Sequence, residues 1–243
     1  MEIVSDGNRL RAGSVIPEEP RGLAVLLHGI PSTAPSAPGD AGYPALAQRF
    51  ALGGWAALWV DMRGVRASEG FFSIEGWVRD ATTALDVARA DPELHDLPAV
   101  FVGSSAGGAV ATVATRRGAR VDGLALLAAP ASWVSFGSRP DQAVARITGE
   151  AGMTLAPEVL QDPDAWAAEF RDVTTVGAIG DLDIPILVLH GTADTVVPIG
   201  HAEVIARAAP HAEVQIIEGA EHQLRRDERA VDAVLAWMDR VLT

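Results

Sequence analysis

Six short, nearly uninterrupted apolar runs separated by turns and longer amphipathic stretches constrain this 243-residue chain more than any other feature. They occupy residues 22–28, 55–60, 98–102, 123–128, 184–190 and 213–217. Strands that are apolar without alternation must be covered on both faces, which is the condition of a parallel sheet joined by crossover helices. Residues 43–52, 74–90, 106–117 and 199–208 read as those helices, and residues 228–241 as a last one. In the second of them Trp77, Ala81, Leu85 and Ala88 recur at spacings of three and four, with Ser73 placed to cap its N-terminus. Residues 3–5 and 9–15 flank Asp6-Gly7-Asn8, a turn that predicts an antiparallel hairpin at one edge. The expectation is an α/β chain with a mostly parallel sheet of about eight strands, helices on both faces and an N-terminal antiparallel hairpin.

Some fifty residues lie between the fourth and fifth apolar runs, far more than a crossover needs. A cap insertion is predicted over 131–182, with 1–130 and 183–243 forming the core. The insertion carries Trp133, Phe136, Met153, Leu155, Trp166 and Phe170, and a helix is expected within 157–170. Its aromatic residues can pack the cap on the body or line an apolar pocket. The one low-complexity stretch, 31–44, is a Pro-, Ser-, Ala- and Gly-rich loop.

Composition removes several chemistries. All 19 Lys plus Arg residues are arginine, so nothing can form a Schiff base or serve as the lysine of a phosphate-binding loop. The absence of cysteine removes thiol nucleophiles, thiolate metal sites and disulfides. No His and carboxylate spacing suggests a metal site, and no cofactor is implied. A net charge of −13 opposes nucleic acid and anionic membranes as partners. The first residues lack a basic segment followed by an apolar run, and no stretch approaches the roughly 20 apolar residues of a membrane span. A cytoplasmic protein is the expectation, although a secreted form lacking its leader would read the same; oligomeric state is not legible.

Chemistry enters with Gly103-Ser104-Ser105-Ala106-Gly107, a G-x-S-x-G directly after an apolar strand and directly before a helical pattern. Small residues two before and two after a serine let the chain turn sharply enough to lift its hydroxyl clear of the sheet, and this makes Ser105 the candidate nucleophile. Alone, the pentapeptide equally describes a helix N-terminus with a capping serine. A serine needs a base to take its proton and a third group to orient that base. Asp194 stands in the loop after the fifth run, and His222 in the loop after the sixth. Parallel strands send all such loops to one edge, so the three can meet.

Alternatives exist at two of the three positions. His190 competes for the base role but sits four residues before the acid, which favours a brace; Asp61, also at a strand's carboxyl end, is a possible displaced acid. His28 reads as a brace, while His95, His201 and His211 read as solvated. Arg225 and Arg226 read as a solvated helix start rather than a substrate anion clamp.

With these motifs in hand, the chain resembles the α/β-hydrolase fold over nearly its whole length. Leu26-Leu27-His28-Gly29-Ile30 is similar to that superfamily's strand and oxyanion loop, and the order Ser, Asp, His is its order. Residues 61–70 resemble the D-x-R-G-x-G-x-S-x-G loop of the serine aminopeptidase and monoglyceride-lipase branch, with Arg66 where that branch has glycine. The resemblance implies an oxyanion hole from the backbone N–H groups of Ile30 and Ala106. It also implies a serine hydrolase acting on small-molecule carboxylic esters of small to medium acyl or aryl groups. Amide, peptide or thioester hydrolysis shares the machinery, a perhydrolase would add peroxide, and a ligand-binding receptor could keep the same pocket. A dehalogenase is disfavoured because that chemistry places aspartate where Ser105 stands.

Overall fold

The apolar runs become strands because two separate hydrophobic layers cover them. In the computed structural model, which describes residues 2–34 and 39–242 (the side chains of Val134 and Ser135 excepted), Leu23, Val25 and Leu27 face one layer while Ala24 and Leu26 face the other. Four residues of the expected 31–44 loop, 35–38, lie outside the described residues.

The strands are β1 (Ile3–Ser5), β2 (Asn8–Leu10), β3 (Ala12–Val15), β4 (Leu23–Leu27), β5 (Ala56–Val60), β6 (Ala99–Ser104), β7 (Gly123–Leu127), β8 (Ile186–Gly191) and β9 (Glu213–Ile217). The main sheet runs β3-β5-β4-β6-β7-β8-β9, with β3 antiparallel to β5 and the remaining pairs parallel. Among the described residues it holds seven strands where about eight were expected, and the hairpin β1-β2 forms a sheet of its own. The expected run 9–15 is broken at Arg11, whose N–H donates to Ser68 Oγ (2.9 Å) instead of continuing a ladder. β9 lies at the open edge, and its Val214 and Ile216 are exposed.

Helices α1 (Gly42–Leu52), α2 (Ile74–Arg89) and α3 (Ala106–Arg116) precede the segment between β7 and β8, where the insertion was expected. Within it lie α4 (Val134–Ser138), α5 (Pro140–Ala145), a π-helical turn (Arg146–Glu150), α6 (Pro157–Gln161), α7 (Asp164–Asp172) and α8 (Thr175–Ile179). After β8 come α9 (Gly200–Ala208), a 3₁₀ turn (Leu224–Arg226) and α10 (Glu228–Leu242). α1 and α10 bury Leu46, Phe50, Val234, Trp237 and Met238 against one face of the sheet, and α2, α3 and α9 cover the other. α2 begins as its sequence implies: extended Ser73 accepts the Gly76 N–H on its Oγ at 2.9 Å.

The helix expected within 157–170 is two helices. Asp162 precedes Pro163 and is pushed to an extended conformation (φ −143°, ψ 95°), because a following proline ring clashes with helical backbone. Trp133, Phe136, Trp166 and Phe170 cluster with Phe72 in edge-to-face and tilted pairs, ring centroids 4.8 to 6.1 Å apart, which joins this segment to the layer over α2.

Candidate active site

The strand register brings the three predicted residues to one edge. Leu27 pairs with Gly103, Ser104 with Leu127, Leu127 with Leu189 and Gly191 with Ile217, so the chain leaves β4, β6, β8 and β9 on the same side. Ser105 follows β6 with φ 51° and ψ −121°, a backbone geometry that a non-glycine residue adopts only when its surroundings impose it. The surroundings are tight. A Cβ on Gly103 would lie 2.5 Å from Gly107 O, and one on Gly107 would lie 2.4 Å from Leu27 O, so both glycines of the motif are sterically required. The Ser105 N–H donates to Leu127 O (2.8 Å), which pins the turn to the neighbouring strand.

Asp194 and His222 are held by loops that are laced together. Thr192 N–H donates to Ile217 O (3.1 Å), Ala193 N–H to Ala220 O (3.0 Å) and Gly219 N–H to Thr192 Oγ1 (2.8 Å). The buried Asp194 side chain accepts the N–H groups of Val196 (2.9 Å) and Val197 (2.8 Å) on Oδ1, which leaves Oδ2 to accept His222 Nδ1 at 2.8 Å. With its proton on Nδ1, His222 keeps Nε2 as a bare acceptor. Ser105 and His222 both line two adjoining cavities, one of about 780 Å³ and one of about 200 Å³. The Ser105 hydroxyl forms no hydrogen bond among the described residues. The structure therefore joins Asp194 to His222 directly, and brings Ser105 to the same walls without a closed Ser–His bond.

The other histidines separate cleanly. Buried His190 donates Nε2–H to Val197 O (2.7 Å) with Asp194 Oδ2 at 3.4 Å, so it braces the acid's loop; its Nδ1 has no partner among the described residues. His28 takes the Met62 N–H on Nε2 (2.9 Å) and donates Nδ1–H to Gly29 O (2.7 Å). Burial pushes its pKa down, and both bonds require the neutral ring. Its loop lies against the nucleophile: a Cβ on Gly29 would lie 2.8 Å from Ser105 Cβ. Ile30 from this loop lines both cavities. Ala106 is fully buried at the first position of α3, where a helix N–H has no intrahelical acceptor.

Asp61 does not meet a histidine side chain. It accepts Arg11 Nη1 (2.6 Å) and Arg66 Nη1 (2.8 Å), and so anchors the 61–70 loop. His201, expected to be solvated, is half-buried: its Nδ1 accepts the Ala131 N–H (3.0 Å), desolvation lowers its pKa, and it lines the larger cavity. Arg225 and Arg226, read as a solvated helix start, belong instead to the 3₁₀ turn before α10 and clamp Asp40. Arg225 does so with both terminal nitrogens (2.7 and 2.6 Å) while lying over the Tyr43 ring. A contact between residues 40 and 225 leaves no mark in local sequence. The insertion's aromatic residues divide: Trp133 and Phe136 line the larger cavity with Arg139, Arg146 and Glu150, whereas Trp166 and Phe170 do not reach it.

The strand order, with a strained serine after central β6, an aspartate after β8 two strands away, a histidine after β9 three strands away and a glycine-bearing loop against the serine, is that of the α/β-hydrolase fold. Comparison then places the chain within that class: a family model described as serine aminopeptidase, S33, matches residues 18–176, and the chain belongs to this family. Its fold is shared with an esterase domain from a Rhodothermus marinus protein, at TM-score 0.74 and 20% identity over 100% of this chain and 98% of that one. Est1E from Butyrivibrio proteoclasticus, solved with ferulic acid bound, is similar at TM-score 0.73 and 21% identity over 99% and 98% of the two chains. A malate-bound thermophilic esterase from Thermogutta terrifontis is similar at TM-score 0.73 and 18% identity over 100% and 99%.

Proposed function

We propose that the protein is a serine esterase. Ser105 attacks the ester carbonyl, His222 Nε2 takes its proton and passes it to the departing alcohol, and Asp194 holds the imidazole in the required tautomer. Water then repeats the sequence on the acyl-enzyme. The observation that carries this reading is the 2.8 Å Asp194–His222 bond from a carboxylate anchored by two backbone amides, beside a serine in forced geometry. Backbone N–H groups of Ile30 and Ala106 receive the developing oxyanion, a contribution of about 10² to 10³ in turnover for each such donor.

The insertion between β7 and β8 acts as the cap. Its Trp133 and Phe136 offer an apolar wall, and a cavity of about 780 Å³ suits acyl or aryl groups of small to medium size. The esterases sharing this fold support the ester reading; the aminopeptidase description of the family keeps an aminoacyl amide as the second reading. Fluorophosphonate labelling of the wild type but not of Ser105→Ala, with turnover of p-nitrophenyl acyl esters across chain lengths, is the expected result. Absence of labelling and of turnover in the wild type refutes the proposal. Faster cleavage of aminoacyl p-nitroanilides than of esters selects the second reading.

A further inference from the structure

The smaller cavity beside the nucleophile, about 200 Å³, is lined by Arg66, Arg225 and Arg226 together with Ser105 and His222, and among the described residues by no Asp or Glu. This is unusual for a chain of net charge −13. The acids that hold these arginines stand outside the cavity wall: Asp40 binds Arg225 and Arg226, and Asp61 binds Arg66 and Arg11. Against these two carboxylates the three lining guanidinium groups leave one positive charge in excess, and Asp61 is shared with Arg11, which lies outside the cavity. Donors remain as well. Among the described residues Arg66 engages only Nη1, on Asp61 (2.8 Å), so Nε and Nη2 are open. Arg226 meets Asp40 through Nη2 at 2.5 Å and keeps Nε and Nη1.

Arg66 adds a second line of argument. Its φ of 52° lies in the left-handed region, which a long side chain seldom occupies. The chain thus tolerates an unfavourable backbone to place a guanidinium beside the nucleophile, while Asp61 fixes its direction. Guanidinium forks match carboxylates in plane and spacing, and a pre-held fork sacrifices little rotamer freedom on binding.

We propose that this cavity is an anion subsite, and that the preferred substrates are esters carrying a carboxylate within a few bonds of the scissile carbonyl. The inference rests on the esterase reading above. Two substrate pairs place the charge on either side of the ester: monoethyl glutarate against ethyl valerate by pH-stat, and 4-butyryloxybenzoate against 4-butyryloxytoluene by phenol release. In at least one pair the charged ester is favoured in kcat/KM by about tenfold to a hundredfold, the worth of one charge-assisted hydrogen bond. The preference lies mainly in KM and weakens as salt shortens the Debye length from roughly 30 Å at 0.01 M to roughly 3 Å at 1 M. The charged-to-neutral ratio falls toward one in Arg66→Gly, whose glycine fits the observed φ, and in Arg226→Gln, which leaves Arg225 on Asp40. Ratios near one in both pairs, unmoved by either substitution, overturn the subsite while ester hydrolysis stands. No turnover of any ester, with no labelling of Ser105, overturns both.

Discussion

Replacing Asp194 by asparagine changes only one heavy atom, yet the structure assigns it a large effect. Oδ1 accepts two backbone N–H groups, from Val196 and Val197 (2.9 and 2.8 Å), so the amide oxygen must take that position; an NH₂ there would face two donors. The NH₂ then points at His222 Nδ1, 2.8 Å away, and requires that nitrogen to be the acceptor. The ring proton moves to Nε2, the atom proposed above to receive the Ser105 proton, and general-base catalysis in that scheme stops. An inverted tautomer of this kind costs about 10⁴ in kcat, or ~5 kcal/mol at 1.36 kcal/mol per decade. The loss resides in kcat for p-nitrophenyl butyrate, with Ser105 labelling slowed in parallel. Because both backbone bonds persist, thermal unfolding of the variant stays within a few degrees of the wild type. A folded Asp194→Asn enzyme retaining more than a tenth of wild-type kcat refutes the assigned roles.

Three further outcomes test the frame that holds the site. Asp80 is fully buried and accepts the Arg63 N–H, Nε–H and Nη2–H between 2.6 and 3.1 Å. Asp80→Ala strands a buried guanidinium that keeps the Asp6 carboxylate and the Ser5 hydroxyl on Nη2 but loses every partner of Nε, and lowers unfolding stability in urea by about 3 to 5 kcal/mol; a loss under 1 kcal/mol contradicts this. Gly107→Ala drives a methyl to 2.4 Å from Leu27 O and 2.6 Å from His28 O, so it displaces the nucleophile turn, and soluble protein with wild-type labelling kinetics is the contrary result. Asp40 is held well below the usual carboxylate range, first by its hydrogen bonds from Arg225. A depressed folded pKa contributes stability above the unfolded value of about 3.9 and loses it as pH falls through the folded value. The gap in urea midpoint between wild type and Asp40→Asn is therefore full at pH 7 and shrinks below about pH 4; a gap that widens on acidification is inconsistent with the assignment.

Legibility followed the range of the forces involved. Strands β4, β5 and β7 are legible because burial on both faces leaves no polar residue in them, and the Ser73 cap is legible because its hydrogen bond spans three residues. The break at Asp162 is missing from the single helix expected within 157–170, although Pro163 marks it locally by disfavouring helical backbone at the residue before it. The nucleophile turn was legible because its glycines are demanded by contacts as close as 2.4 Å, and such contacts restrict residue type. Arg225 and Arg226 were misread for the opposite reason. An arginine beside solvent and an arginine clamping an acid 185 residues away are the same letter, and nothing nearby in the chain distinguishes them.

The amino-acid sequence by itself determined the α/β architecture, the edge to which the chain delivers Ser105, Asp194 and His222, and the chemistry excluded by missing lysine and cysteine. These follow from periodicity and composition, which are properties of neighbouring residues. Only the tertiary structure decided which Asp194 oxygen meets His222, that Trp133 rather than Trp166 faces the cavity, and that three arginines gather beside the nucleophile. Those outcomes depend on directions and distances between segments remote in the chain, and hydrogen bonds and packing select among them only once the sheet has brought the segments together.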